Sequence, residues 1–542
     1  MELGASGLVP PLPAAFLRGD DRDLLGPLTF LPPQPAPRGG ALADLLAAAP
    51  PPAPPGRPAL AEGLRTANRA YGNPAADRLA DRLADPATRV VVAGQQPGLL
   101  GGPLYTFSKM VAAARWAAAL EAAGEPAVAV FWVATEDHDY REVSTATVLA
   151  PDGPRGFDLG DDPAPLTPVG ARTLGPGVEG VLAGIRAAVL GDRYAEWLDR
   201  LARWYRPDAR FGEAFCKLMA HLLGERCPLL LDAMHPAVKA AERPWLARLV
   251  ERREAVGAAE AAAARRIEGR GYPLQVAPQP GASPLFLLHR GERRRVEWQD
   301  DGYRLRGPDD AGGAAGSMAD LAAIVADNPA VVSAGVVARP AVQDAILGTA
   351  LQLLGPGELS YMPQAAALYP VLEVAPPAVT LRPQALVVEA HLVDQLAGLG
   401  ISLTELLGDR TRLDHLLAER NGGDLLGAEG AARRRLAALL DEMEGPALAA
   451  DPNLERPWRK TREQIDGALD RFSDKLAAAA ARADEVRAGR VERLRATLLP
   501  SGTLQERVVS TAHYPGKYGE RFLEAIWEQM ELDGGTLQVV TP

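Results

Sequence analysis

Between residues 90 and 133 the chain runs apolar stretch, glycine-rich connection, helix, apolar stretch, and that order leaves few folds open. Val90-Val91-Val92-Ala93 is a short β-branched run stopped by Gly94, the pattern of a buried strand. Pro103 stands at the head of a helix, where its fixed φ and missing N–H cost nothing, and the helix runs to about Ala123 before Gly124 ends it. Ala127 to Val133 supplies a second apolar strand. Strand, helix and strand make a βαβ unit, which requires parallel strands and a right-handed crossover. A third strand is predicted at Leu229-Leu230-Leu231, closing in Asp232, ahead of a helical stretch from Pro236 to about Ile267. The pattern resumes with a strand at Ala334-Gly335-Val336-Val337, a helix over 341–354 and a strand near 378–381.

Around this α/β core, spanning 61–385, the sequence changes character three times. Residues 1–60 are proline-rich and read as an arm laid over the core or a partly loose leader. Leu285 to Arg306 switches to short runs broken by glycine, an antiparallel hairpin insertion near 271–310. From 386 to 500 helix prevails. Ile465, Leu469, Phe472, Leu476, Ala479, Ala483 and Val486 alternate spacings of four and three, a heptad seam. Gly489 interrupts it, and Val491, Leu494 and Leu498 resume it in another register. Leu436, Leu440 and Met443 offer an antiparallel partner, so an intramolecular hairpin and a dimer contact are both expected. Residues 501–542 lose the heptad and read as a segment returning to the core.

Composition sets limits on function. With 542 residues the chain exceeds one ordinary domain. Its net charge of −11 argues against a dominant nucleic-acid surface. Arg293-Arg294-Arg295 and Arg433-Arg434-Arg435 read as solvated hairpin and helix faces. Cys216 and Cys227 read as buried, reduced thiols, too few for a zinc site. No run of 18 apolar residues forms a membrane helix, and Met1-Glu2-Leu3-Gly4 does not open a secretion signal, so the expected location is cytoplasmic. Only Lys109, Lys217, Lys239, Lys460, Lys475 and Lys517 are lysines in an arginine-rich chain, which makes each a slightly better functional candidate.

Three constellations carry chemistry. Gly94-Gln95-Gln96-Pro97-Gly98, continuing to Tyr105-Thr106, joins the carboxyl end of a parallel strand to a helix, where open α/β sheets bind ligands. The helix N-terminus suits an anion, glycines at 94, 98, 101 and 102 let backbone approach a ligand, and Lys109 would add a charge. The glycine spacing matches neither the dinucleotide fingerprint nor the Walker loop, and a ligand-free turn is the plain alternative. Next, Thr135-Glu136-Asp137-His138-Asp139-Tyr140 crowds three carboxylates and an imidazole at the second strand's end. His138 would act as a base, or hold an ammonium or metal with Asp137 and Asp139; a solvated acidic turn is the alternative. Last, Arg339 would clamp a carboxylate or phosphate, with Gln343, Asp344, Gly355, Gly357, Glu358 and Tyr361 nearby. His221, His235, His289, His391 and His415 lack ligand spacing and read as packing or surface, so no metal site is assigned.

Taken together, these blocks resemble the BshC family, the cysteine-adding enzymes of bacillithiol synthesis. The resemblance rests on Val90 to Leu100 with Gly102 to Thr106 and Lys109, and on Phe131-Trp132-Val133-Ala134 before Glu136-Asp137-His138-Asp139. It continues through Arg339-Pro340, Gln343-Asp344, Gly355 to Glu358, Leu504-Gln505-Glu506-Arg507 and Lys517-Tyr518-Gly519. It implies an α/β Rossmann-like core related to class I aminoacyl-tRNA synthetases and other nucleotidyltransferases, with connecting-peptide insertions. A helical coiled-coil domain would support a homodimer. The implied activity condenses cysteine with glucosaminyl-malate, with ATP or another nucleotide activating the carboxylate and the metal requirement open.

On this resemblance Lys109, Asp137, His138 and Asp139 are catalytic candidates, with His138 or Asp139 taking the amine proton. Gly94, Gln95, Gln96, Gly98, Tyr105, Thr106, Arg339, Gln343, Asp344, Gly355, Gly357, Glu358, Tyr361, Gln505, Arg507 and Lys517 are substrate- or nucleotide-binding candidates. Small molecules are the expected partners, not nucleic acid or membrane. Three departures stand out: Tyr105 to Lys109 lacks the histidine of the synthetase HIGH motif, Thr135 replaces a usual glycine, and the residues after Glu142 diverge. A ligase or nucleotidyltransferase for another small acid, and a non-catalytic coiled-coil scaffold, remain alternatives.

Overall fold

The computed structural model describes residues 1–33, 40–279, 281–307, 314–482, 485–532 and 534–542. They divide into two units, one of residues 1–388 with 503–542 and one of 389–502.

In the first unit, Arg89–Gln95 pairs in parallel with Ala127–Val133 over seven residues, from Arg89 opposite Ala127 to Gln95 opposite Val133. The strands are apolar throughout because both faces are covered. Val90, Val92, Val128, Val130 and Trp132 point to one side, with Leu60 and Leu64 of the Arg57–Tyr71 helix. Val91, Ala93, Ala129, Phe131 and Val133 point to the other, with Phe107, Met110 and Val111 of the Leu104–Ala122 helix. Six parallel strands lie in the order Thr29–Phe30, Ala378–Leu381, Thr349–Leu354, Arg89–Gln95, Ala127–Val133, Leu229–Asp232. The chain leaves Arg89–Gln95 toward one edge and later returns on its other side at Thr349–Leu354. That reversal is the switch point at which such sheets bind ligands.

Several expectations change. Val332–Ala334 is not a strand of the parallel sheet; it pairs antiparallel with Ala282–His289. It belongs to a five-stranded sheet with Glu292–Gln299, Gly302–Leu305 and Ala315–Ser317. The following helix is only Arg339–Leu347, closed by Gly348 at φ 65°, and Thr349–Leu354 is a buried strand where helix was expected. A uniformly apolar run does not distinguish buried strand from buried helix, whereas Gly348 was a readable stop. The stretch after Pro236 is two helices, Pro236–Glu251 and Arg253–Gly269. The N-terminal residues are built into the core: Leu12, Phe16, Leu24 and Leu25 are buried, and Thr29–Phe30 is an edge strand.

The C-terminal segment completes this unit. Leu537–Val540 pairs in parallel with Gln384–Val387. Gln505 accepts from the N–H of Val387 at 2.9 Å and donates to its carbonyl at 3.2 Å. Glu506 forms a fully buried two-bond pair with Arg382 at 2.7 and 3.0 Å.

In the second unit, the Arg410–Ala450 and Glu455–Arg482 helices fold back on each other through the short Pro452–Leu454 turn. Arg433 pairs with Asp470, and Arg462 with Asp441 at 2.6 Å. Leu440 is buried and Ile465, Leu469 and Leu476 are half-buried, whereas Met443, Phe472 and Val486 stay 57%, 57% and 67% exposed. Ala483 lies outside the described residues. Among the described residues no helix is long and apolar enough to cross a membrane.

Candidate active site

A cleft of about 820 Å³ opens in the first unit beyond the carboxyl ends of Arg89–Gln95 and Ala127–Val133. Gly94, Gln95, Gln96, Asp137 and His138 line it together, and Arg339, Glu358 and Tyr361 join them. The remaining wall comes from the antiparallel sheet, the Arg253–Gly269 helix and residues 276–279 and 281–284.

The glycine loop beyond Gln96 turns away from this space. A Cβ on Gly98 would sit 2.6 Å from the Cα of Gly102, and one on Gly101 would sit 2.9 Å from the Cβ of Thr511. These glycines permit protein to pack against protein, not against a ligand. The helix N-terminus is closed as well. Leu104 N–H donates to the carbonyl of Val509 at 2.9 Å, and Thr511 N–H donates to that of Gly102 at 2.8 Å. Gly98, Tyr105 and Thr106 therefore do not line the cleft. Tyr105 supports it from behind, its hydroxyl accepting from Gln95 Nε2 at 3.0 Å.

Lys109 is also a support. Its buried Nζ donates to the carbonyl of Gly94 at 2.7 Å, to Gln95 Oε1 at 3.0 Å and to Glu358 Oε2 at 2.5 Å. Burial lowers the ammonium's pKa and Glu358 opposes that. The charge expected to add to a helix dipole instead ties the strand end to the Pro356–Ala366 helix.

The acidic turn is assembled with one oxygen per partner. Asp137 Oδ2 accepts from Gln96 Nε2 at 2.6 Å, and Oδ1 accepts from the N–H of His138 at 2.7 Å. His138 Nδ1 lies 3.3 Å from Nη1 of Arg293. A guanidinium only donates, so Nδ1 accepts and the neutral ring carries its proton on Nε2. Burial and then Arg293 lower the pKa of His138, which favours that neutral form. The imidazole thus offers the cleft a hydrogen-bond donor; as a base it would have to give up Arg293. Asp139 is exposed, caps the Tyr140–Val143 helix at 3.2 Å and does not line the cleft. Glu136 lines it but is paired with buried Lys239, which also holds Glu242 at 2.9 Å. Thr135 is buried and donates to Asp232.

Arg339 lines the cleft, donating to Gln343 Oε1 and to the hydroxyl of Tyr361, both at 3.0 Å. Gln343 and Asp344 sit behind it. Asp344 accepts from Tyr369 at 2.5 Å, and burial pushes its carboxyl up to about 6. Gly355 donates its N–H to Glu358 at 2.7 Å, and neither Gly355 nor Gly357 lines the cleft. Gln505 is spent on Val387, Arg507 lies 5.6 Å over the Tyr105 ring, and Lys517 lies 5.5 Å over the Tyr518 ring; none of the three lines the cleft.

Two functional candidates escaped the sequence. Arg293 is not a solvated face: it is 9% exposed, stacks 3.9 Å over Phe286, and donates to Ser333 Oγ at 2.9 Å and the carbonyl of Ala334 at 3.1 Å. Burial lowers its pKa to about 10. Strand alternation, which puts Arg293 and Arg295 on one face and Arg294 on the other, was the available signal. Glu142, at the cleft mouth, accepts from Gln95 Nε2 at 3.2 Å. Loss of water on its protein side, then Asp137 and Asp139, raise its carboxyl above the usual range. Among the described residues no group of three or more His, Cys, Asp or Glu side chains is placed to hold a metal ion. Cys216 and Cys227 are buried free thiols.

Comparison with known proteins adds family evidence. The model of the BshC N-terminal Rossmann-like domain, described as bacillithiol biosynthesis, matches residues 45–383, and that of the BshC C-terminal coiled-coil domain matches residues 385–541. A Salinibacter ruber protein is 30% identical over 466 residues, covering 84% of this chain and 83% of its own. One from Thermus thermophilus is 33% identical over 457 residues, covering 81% and 86%, and one from Solibacter usitatus is 29% identical over 483 residues, covering 88% of each. All three bear the name "Putative cysteine ligase BshC". A solved Campylobacter jejuni structure described as a "putative arginyl t-RNA synthetase" superposes at TM-score 0.26 and 11% identity, covering 83% of this chain and 99% of that one. So loose a superposition says nothing of kinship.

Proposed function

Since the chain belongs to the BshC family of bacillithiol biosynthesis, we propose that it is the ligase that joins L-cysteine to glucosaminyl-malate to give bacillithiol. The observation that carries this reading is the single cleft shared by Gln95, Gln96, Asp137 and His138 with Arg293, Arg339 and Tyr361. It holds acceptors for an ammonium beside donors for a carboxylate, which is the equipment an amino acid requires. Its volume of about 820 Å³ leaves room for a second, larger substrate.

Amide formation joins the cysteine carboxyl carbon to the amine nitrogen of the acceptor while the carbon–oxygen bond to an activating group breaks and that group leaves with the oxygen, so the carboxylate has to be activated first. ATP or another nucleotide is the proposed activator. The residues at Gly98 to Thr106 do not fit a phosphate cradle, because Gly102 and Thr511 fill the space before their glycines and Val509 occupies the Leu104 N–H.

The chain's own groups act on amine and carbonyl. Asp137 accepts from the cysteine ammonium. The Nε2–H of His138 donates to the carbonyl oxygen as negative charge develops there, with Arg293 behind it holding the tautomer. Glu142, its carboxyl raised above the usual range, takes the proton released by the attacking amine. Holding both substrates in one cleft supplies the proximity such a condensation needs. The enzyme is proposed to work in the cytoplasm as a homodimer joined through residues 389–502, whose Leu439, Met443, Phe472 and Val486 are exposed apolar side chains.

The test is incubation of purified protein with cysteine, glucosaminyl-malate and ATP, following the thiol conjugate by mass spectrometry. Product of the condensed mass is expected, with Glu142→Gln slower by roughly 100-fold or more. No conjugate with any nucleoside triphosphate would overturn the reading.

A further inference from the structure

The cleft extends past the groups assigned to cysteine. Arg293, which touches His138, and Arg295 lie two positions apart on the Glu292–Gln299 strand and share its face, both over the Phe286 ring at 3.9 and 5.3 Å. Two residues of strand carry Arg295 about 7 Å farther along. Across from it, Glu260 enters the same cleft from the Arg253–Gly269 helix.

Each of these side chains feels the other's charge, yet no ion pair joins them. Among the described residues neither side chain has a hydrogen-bond partner. A half-buried guanidinium and a half-buried carboxyl facing one space without pairing leave both charged groups available to a ligand between them. The wall beside them is fixed: Gln364 donates to the carbonyl of Val276 at 2.8 Å and accepts from its N–H at 3.3 Å.

We propose that Arg295 and Glu260 form the subsite for the amine-bearing second substrate, Arg295 pairing with a carboxylate of its hydroxy-acid part and Glu260 accepting from hydroxyls of its sugar part. This rests on the ligase reading above and assigns the acceptor's half of the cleft. The ligase reading supplies the ligand class, and the two charges suit it: a sugar bearing a carboxylate presents donors for Glu260 and an anion for Arg295 side by side. Burial pushes the Glu260 carboxyl up to about 7, so it is close to half ionised at neutral pH and accepts better as pH rises.

Calorimetric titration of the full-length protein tests this, with glucosaminyl-malate, malate, cysteine and ATP as separate titrants. Arg295→Gln is expected to weaken glucosaminyl-malate roughly 10- to 100-fold while leaving cysteine unchanged, and Arg295→Lys to recover part of the loss. Glu260→Gln is expected to remove the rise in acceptor affinity between pH 6 and pH 8. Unaltered acceptor affinity in both variants, or a loss confined to ATP or cysteine, would overturn the subsite while leaving the ligase reading in place. Failure of the unaltered protein to bind glucosaminyl-malate at all would overturn both.

Discussion

His138 shows how one neighbour decides what a residue can do. The sequence marks an imidazole among carboxylates, which on its own favours a charged ring or a base. Arg293 reverses that, because a donor-only group against Nδ1 fixes the other nitrogen as the proton carrier. The pKa of His138 is lowered from about 6.5, so the ring stays neutral through neutral pH and protonates only as pH falls below that lowered value. Arg293→Gln removes a positive charge and is expected to move the His138 midpoint upward. Imidazole shifts followed by NMR across pH 4 to 8 would measure it, and an unmoved midpoint would remove Arg293 from the account.

Among the elements, the carboxyl end of Arg89–Gln95 is held by a lysine rather than by the glycines that follow it. Lys109 bonds Gly94, Gln95 and Glu358, so it sets the distance between that strand end and the Pro356–Ala366 helix. Lys109→Met leaves Glu358 without its cation and is expected to cost about 3–5 kcal/mol of stability, read by denaturant unfolding. Glu358→Gln in the same chain should return part of it, since the second change removes the unpaired charge. The strand, the helix and their order were legible as periodicity and stop signals. The closure of the helix N-terminus by Val509 and Thr511 was not, because those residues lie some four hundred positions away.

The whole molecule is organised so that the unit carrying the cleft is interrupted. Its clusters of buried apolar residues draw on positions before 389 and after 502 and on none of those between, among the described residues. Replacing 389–502 by a flexible glycine–serine linker is therefore expected to leave a folded protein with a cooperative melt. If the homodimer is held by that unit, light scattering should report a dimer for the full chain and a monomer for the shortened one. A shortened chain that is unfolded, or still dimeric, would contradict these assignments.

The sequence by itself determined the βαβ unit at 89–133, the antiparallel insertion, the heptad helices and the meeting of Gly94 with His138 at one sheet edge. Local signals suffice for these: strand and helix periods, glycine and proline stops, and the rule that parallel strands end on one rim. Only the tertiary structure decided which of those residues face the cleft. It turned Lys109, Gly98 and Thr106 inward, and brought Arg293 and Arg295 from the antiparallel insertion and Glu260 from the Arg253–Gly269 helix to complete the wall. The reason is physical. A side chain's period fixes which face of its own element it occupies, but what lies across that face depends on contacts between segments hundreds of residues apart, which no local pattern records.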